Sequence, residues 1–118
     1  MSLTPETEVR EVTGLTEEDR IAILHFLQGA VYCWCKNREN EWFSLRDLMG
    51  GQNYYWEGTP MYALYAKHEN TSSDPISQAG KDAGWLLKRL IRDDQRNFET
   101  REAHLIREYR MIRIDEND

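Results

Sequence analysis

A helical stripe of basic, amide and indole side chains is the first feature of this 118-residue chain that could do chemistry. Its members recur at three- and four-residue spacing, so one face of an α-helix would carry all of them. Lys and Arg can neutralise phosphates or bond guanine edges, and Gln can pair with adenine in the major groove. The stripe therefore predicts contacts to nucleic acid, although a solvated helix face with Trp85 folded into the core would carry the same residues. Its members are Gln78, Lys81, Trp85, Lys88 and Arg92.

The densest aromatic run in the chain offers a second kind of chemistry. It comprises Tyr54, Tyr55 and Trp56, and Tyr62 and Tyr65 follow soon after. Aromatic rings can stack on unpaired bases, and Tyr and Trp are enriched at protein–protein hot spots. A loop that seals the edge of a core would use the same residue types. All three interpretations stay open at this point.

Metal binding and catalysis have little support in the sequence. Cys33 and Cys35 lie two positions apart, and on a helix their thiols would point roughly 200° apart. Such a pair does not suit a tetrahedral metal site, and the three histidines are scattered. The sequence contains no phosphate-binding glycine loop, no nucleophile elbow and no HExxH motif. We therefore expect no enzymatic activity, no metal, no cofactor, and two thiols that pack in the core as small apolar groups.

Charge is distributed unevenly along the chain. The formal net charge of −6 argues against indiscriminate nucleic-acid binding. Residues 1–58 hold 5 basic and 10 acidic residues, whereas residues 59–114 hold 10 basic and 8 acidic residues. Any anion-binding face should therefore lie in the second half. The acidic, polar N-terminus and the absence of a long apolar run predict neither a signal peptide nor a membrane span, and the cysteine usage fits a reducing cytoplasm.

Four capping signals predict the helices that must position these side chains. Each signal is a Ser, Thr or Asp residue ahead of an apolar repeat, and two of them are followed by Pro. The predicted caps are Thr16, Ser44, Thr59 and Asp74, and the helices end near Asn37, Gly50, His68 and Arg92.

Apolar stripes at helical spacing predict which faces are buried. The first helix has a broad stripe, which suggests packing on more than one side. In the last helix, Gly80 and Gly84 lie one turn apart, and we expect another helix or loop to approach them closely, with close approach of a ligand as the alternative. The predicted stripe of the last helix is Ile76, Ala79, Ala83, Leu86, Leu87 and Leu90, and that of the first helix is Ile21, Leu24, Val31 and Cys35, widened by Ile23, Leu27, Ala30 and Trp34.

The segment from residue 97 to 114 has an ambiguous pattern. It contains good helix formers, but residues 108–114 alternate and are rich in β-compatible types. We predict a hairpin with strands at residues 98–100 and 105–114, a tip at 101–104, and Tyr109 and Met111 on one face. A helix over the same residues is the alternative.

This order of elements resembles the winged helix-turn-helix superfamily, especially its small phage and plasmid members. The resemblance is carried by WFSLRDLM, AGWLLKRLI and the ending YRMIRI. In that family a strand stub leads into the second helix, the third helix enters the DNA major groove, and a two-stranded wing touches the flanking backbone. The resemblance implies groove contacts by the stripe and wing contacts by Arg101, His104 and Arg107. Residues 51–72, which contain a helix of their own, replace the short turn of the family.

We therefore expect a mainly α domain with a small C-terminal β-hairpin, an α+β class, built as a winged-helix-like three-helix core with an inserted short helix. It should span residues 15–114, between a flexible acidic arm at 1–14 and an acidic tail at 115–118. The expected function is that of a cytoplasmic regulator of transcription or accessory protein that binds double-stranded DNA. The alternative is a protein–protein interaction module that uses residues 54–65, as a homodimer or with another partner, and binds no DNA.

Overall fold

The computed structural model describes residues 8–51, 55–103 and 106–112. In these residues four helices precede a two-stranded antiparallel hairpin, so the predicted α+β class with a C-terminal hairpin is confirmed. None of the helices in these ranges has the length and apolar character that a membrane span requires. The elements are α1 (Glu17–Asn37), α2 (Leu45–Leu48), α3 (Tyr62–Ala66), α4 (Pro75–Asp93), β1 (Asn97–Ala103) and β2 (Ile106–Ile112).

Three of the four predicted caps start their helices as expected. The Thr16 hydroxyl accepts a hydrogen bond from the Asp19 backbone, and the Asp74 carboxylate accepts one from the Ser77 backbone. Ser44 and Asp47 form a reciprocal capping box at α2.

Helices α2 and α3 differ in detail from the prediction. The predicted start of α3 at Pro60 is two residues early, because the Thr59 hydroxyl accepts from the Met61 backbone in a turn that precedes the helix. The helix also ends at Ala66 rather than near His68. In α2, Leu45 and Leu48 are half-buried, since this four-residue helix lies at the edge of the core.

Among the described residues, one isolated backbone pairing joins the hairpin to the segment ahead of α2. Phe43 pairs with Tyr109 of β2 through two backbone hydrogen bonds of 2.8 Å, as an isolated antiparallel bridge. The hairpin strands are more equal in length than predicted, because cross-strand pairs such as Arg101 with Glu108 extend the ladder towards the turn. Arg101 therefore lies inside β1, and its predicted place in the tip is wrong.

The core lies where α1, α4 and the inner face of the hairpin meet. Phe43 is fully buried at its centre, edge-on to Phe98 at 6.4 Å and tilted against Tyr109 at 6.0 Å. The described part of the N-terminal arm also packs here, since Val12 is buried and its carbonyl oxygen accepts a hydrogen bond from Arg20. The core residues supplied by the helices and by Met61, which directly precedes α3, are Ile23, Leu27, Val31, Cys35, Met61, Leu64, Ala79, Ala83, Leu86, Leu87, Leu90 and Ile91.

Several predicted core positions are at the surface. Helix α1 buries one ridge of residues four apart, so Ile21 is 45% exposed and the prediction that α1 packs on more than one side is wrong for the described residues. Cys33, expected to be buried, is exposed because it lies two positions from Cys35, on the opposite side of the helix. Ile76 is 71% exposed because it lies in the first turn of α4, beyond the edge of the core.

Candidate nucleic-acid interface

A groove of about 750 Å³ lies between α2, the N-terminal half of α4 and the hairpin. Each of these three elements contributes one cation to its lining: Arg46 from α2, Lys81 from α4 and Arg107 from β2. Among the described residues that line the groove there is no Asp or Glu. The groove can therefore accept an anionic ligand without placing it against a carboxylate of its own wall.

Two glycines of α4 form the floor of this groove. A methyl group added at Gly80 or Gly84 would meet no atom within 4 Å in the described structure. The expectation that another helix or loop packs closely on these glycines is therefore wrong for the described residues, none of which comes within 4 Å of the added methyl groups apart from the neighbouring backbone of α4. A ligand in the groove can approach the backbone of α4 more closely than it could at any residue with a side chain.

The residues of the predicted stripe on α4 do not share one surface, because each has different neighbours. Lys81 is exposed and faces the groove, whereas Gln78 is half-exposed and does not line it. The Trp85 ring is half-buried, with the Arg10 guanidinium 5.4 Å and the Lys88 ammonium 5.1 Å from its centroid. Arg92 donates to the adjacent Asp93 carboxylate at 2.8 Å, and this hydrogen bond raises the pKa of Arg92. The stripe thus supplies one groove cation, Lys81, rather than a continuous basic strip.

The outer face of the hairpin carries a ladder of compensated charges. Arg101 pairs with Glu108 at 2.7 Å, and Arg110 pairs with Glu99 at 2.9 Å. Both guanidinium groups also stack on the Trp42 ring, at 4.1 Å and 4.7 Å from its centroid. The predicted wing contact Arg101 is therefore held by a carboxylate and an aromatic ring.

Arg107 is the hairpin cation that faces the groove. It lies 3.6 Å from the Glu102 carboxylate with a side chain 41% exposed, and it donates to the Thr100 hydroxyl at 3.3 Å. Its ion pair is the longest of those on the described hairpin, so Arg107 is the least tightly paired of these arginines. The other predicted wing residue, His104, lies outside the described residues.

The carboxylates of α4 that could have opposed an anion point elsewhere. Asp82 faces the turn that follows α3, where it lies 2.8 Å from the Lys67 ammonium and 2.7 Å from the His68 ring. Asp74 caps the helix, and its hydrogen bonds from Ser77 lower its pKa. Neither carboxylate lines the groove.

Sequence reasoning missed Arg46. The pattern around α2 held a usable signal, because Leu45 and Leu48 mark the inner side of the helix and leave Arg46 on the outer side. Nothing in the sequence, however, relates this short helix to α4 and the hairpin.

A second hollow, of about 370 Å³, is lined by the predicted aromatic segment. Tyr55 (86% exposed), Trp56 and Tyr62 lie in it, together with Tyr65, whose ring centroid is 5.7 Å from that of Tyr62. Tyr54 lies outside the described residues.

Two carboxylates, Glu57 and Glu69, complete this hollow. Their charges, that of Glu69 first, raise the pKa of the Tyr62 phenol. The described lining of the hollow includes no Lys or Arg, so its chemistry is aromatic and anionic, opposite to that of the groove.

Comparison with known proteins yields no match to a family model, a curated protein or a solved structure. Within the described ranges, no three His, Cys, Asp or Glu residues are grouped so that they could hold a metal ion.

Proposed function

We propose that this protein is a small cytoplasmic regulator or accessory protein that binds double-stranded DNA on the face that carries the groove between α2, α4 and the hairpin, with one stretch of the DNA backbone in that groove. The observation that supports this most directly is the groove lining, with three cations from three elements and no carboxylate among its described residues. The order of α1, the Phe43 bridge, α2, α4 and the hairpin follows the winged helix-turn-helix resemblance, with α3 as an added helix between α2 and α4.

The position of each groove cation indicates the part of the DNA that it would contact. Arg46 and Arg107 flank α4 on two sides and would neutralise backbone phosphates. Lys81 lies on α4 itself, beside the glycine floor, where it would meet a base edge or a phosphate. Each neutralised phosphate contributes about −0.9 to the slope of log K against log salt, so three contacts give a slope of about −3.

Fluorescence anisotropy with a mixed-sequence duplex, measured across a salt series, tests the proposal. The triple variant Arg46→Gln, Lys81→Gln, Arg107→Gln should lose most of the affinity and most of the salt dependence. Arg101→Gln removes one positive charge from the same hairpin at a site that is already paired with Glu108, so it serves as the matched control. Far-UV circular dichroism verifies that each variant is folded. Absence of duplex binding at low salt, or unchanged affinity in the triple variant, would refute the proposal.

The aromatic hollow supports a second candidate function, recognition of a basic side chain on a partner protein. Tyr and Trp faces attract cations, and Glu57 and Glu69 add Coulombic attraction for a guanidinium or ammonium group. An Arg-rich peptide should quench the fluorescence of Trp56, and its Gln-substituted counterpart should not. Glu57→Gln with Glu69→Gln should weaken this binding and leave duplex binding intact. If the two peptides bind equally, this second function is rejected.

A further inference from the structure

Helix α1 presents to solvent a complete seam of residues at coiled-coil spacing. Six exposed residues follow one another at intervals of four, three, four, three and four, which is the spacing of the a and d positions of a coiled coil, although only Ala22 and Tyr32 have the apolar or aromatic character of such positions. Between the two ends the seam has no Asp, Glu, Lys or Arg. Its members are Glu18, Ala22, His25, Gly29, Tyr32 and Lys36.

The seam is complementary to itself when it is reversed. Its members form three pairs at equal distances before and after the level of Leu27. The outer pair, Glu18 and Lys36, has opposite charges. The two inner pairs each join a small residue to a large one: Ala22 to Tyr32, and Gly29 to His25. In an antiparallel coiled coil, these pairs are the residues that face each other across the interface.

We infer that two copies of this chain associate through α1, antiparallel, with the two-fold axis at the level of Leu27. Each end of the pair then holds an ion pair between Glu18 of one copy and Lys36 of the other. Large residues then face small ones at the two inner pairs, which favours interdigitation of the side chains. The two-fold relation makes both copies use the same surface, as a closed dimer requires.

The surroundings of the seam favour a second copy over other occupants. Phe26 is exposed beside Gly29, and the two residues border an apolar hollow of about 270 Å³ that reaches Leu48 and Met49. In the antiparallel register, each Phe26 lies over Gly29 of the other copy and points towards that copy's hollow. Tyr32 stays 57% exposed although Arg96 stacks on one side of its ring.

Charge and area set the strength of the pairing. Two copies with a net charge of −6 repel each other at most orientations, whereas the seam is electrically neutral and carries opposite charges at its ends. The 21-residue helix is about 30 Å long, and a strip about 10 Å wide covers roughly 300 Å² of each copy. This is below the ~800 Å² per partner of a standard interface, so we expect a weak dimer that forms at micromolar concentrations or above.

Sedimentation velocity of the full chain, from about 5 to about 500 µM, tests this inference. It compares the wild-type chain with variants in which the charge of Glu18, of Lys36 or of both is reversed. The wild-type chain should shift towards a dimer as its concentration rises. Glu18→Lys places like charges at both ends of the pair, and so does Lys36→Glu, so each single variant should remain a monomer. The double variant Glu18→Lys, Lys36→Glu restores opposite charges and should dimerise again.

Glu17→Lys is the matched control, because it makes the same charge change in the same helical turn but about 100° around the helix from the seam. It should dimerise like the wild type, as should Tyr62→Ala in the aromatic hollow. The recovery of the double variant cannot result from unfolding, so it separates a lost interface from a lost fold. A wild-type chain that stays monomeric, a double variant that does not recover, or a Tyr62→Ala variant that loses the dimer overturns the inference.

Discussion

Replacing Gly80 and Gly84 by Ala should make the protein more stable. Both glycines lie inside α4, and an added methyl group would meet no described atom within 4 Å. No packing term therefore opposes the gain in helix propensity, which is about 1 kcal/mol per glycine. Part of this gain comes from the unfolded chain, because Ala has fewer backbone conformations to lose.

The expected increase in the free energy of unfolding is thus about 1 kcal/mol for each variant and about 2 kcal/mol for both, since the two methyl groups meet no common neighbour. In a domain of this size, each kcal/mol corresponds to a rise in Tm of roughly 4 °C. Urea unfolding followed by circular dichroism at 222 nm measures the free energy, and a thermal scan measures Tm.

The sign of the change decides between the two interpretations of the glycines. If another part of the chain packed on α4 here, each methyl group would clash and the variants would be less stable than the wild type. Gly58→Ala is the control of opposite sign, because Gly58 has a φ of 80° with equally open space, and Ala there should cost about 1 kcal/mol or more. A loss of stability in Gly80→Ala or Gly84→Ala would refute the reasoning. The same two variants should bind duplex DNA more weakly, because the methyl groups raise the groove floor.

Two further predictions concern the residues that join the hairpin to the helices. Phe43→Ala should lower the free energy of unfolding by about 3 to 5 kcal/mol in urea unfolding, whereas Phe43→Leu should retain most of it, because Phe43 fills the centre of the core. Burial raises the pKa of the Tyr109 phenol above its ordinary value of 10.0, so at higher pH the unfolded chain loses a proton that the folded chain keeps. The free energy of unfolding should therefore fall as the pH rises above 10.0, and Tyr109→Phe should remove much of that fall; a variant that declines as steeply as the wild type would contradict this assignment.

Local signals in the sequence predicted where the helices begin better than they predicted which other parts of the chain the helices contact. The caps Thr16, Ser44 and Asp74 act through hydrogen bonds within three residues, so they can be read from a short window. For residues 97–112 a local window contains the hairpin pairs, but its pattern is equally compatible with a helix. It does not contain the pairing of Phe43 with Tyr109, which are 66 positions apart in the sequence and whose bridge favours the hairpin.

The candidate site was only partly predictable for the same reason. Lys81 belongs to a helical pattern that the sequence displays directly, but Arg46 and Arg107 join it only through tertiary packing. The spacing of basic residues in the sequence also does not show which of them form ion pairs in the folded protein. Arg92 is held by its neighbour Asp93, and Arg101 by Glu108 across the hairpin, although both fit the basic pattern equally well.

The overall negative charge leads to a last prediction about salt. At an ionic strength of about 0.15 M the Debye length is about 8 Å, so a phosphate in the groove interacts mainly with Arg46, Lys81 and Arg107. At about 0.01 M it is about 30 Å, which exceeds the 28 Å shortest extent of the molecule, and the net charge of −6 then acts on the DNA as a whole. Long-range repulsion should therefore flatten the rise in affinity at the lowest salt.

Anisotropy measured from about 10 to about 200 mM salt should show a slope near −3 in the upper range and a shallower slope in the lower range. Replacing acidic residues far from the groove by Lys, for example Glu17→Lys, should steepen the slope in the lower salt range and leave the slope in the upper range unchanged. A single straight line through the whole range would mean that the local cations dominate at every distance, and the repulsion argument would then fail while the groove assignment would stand.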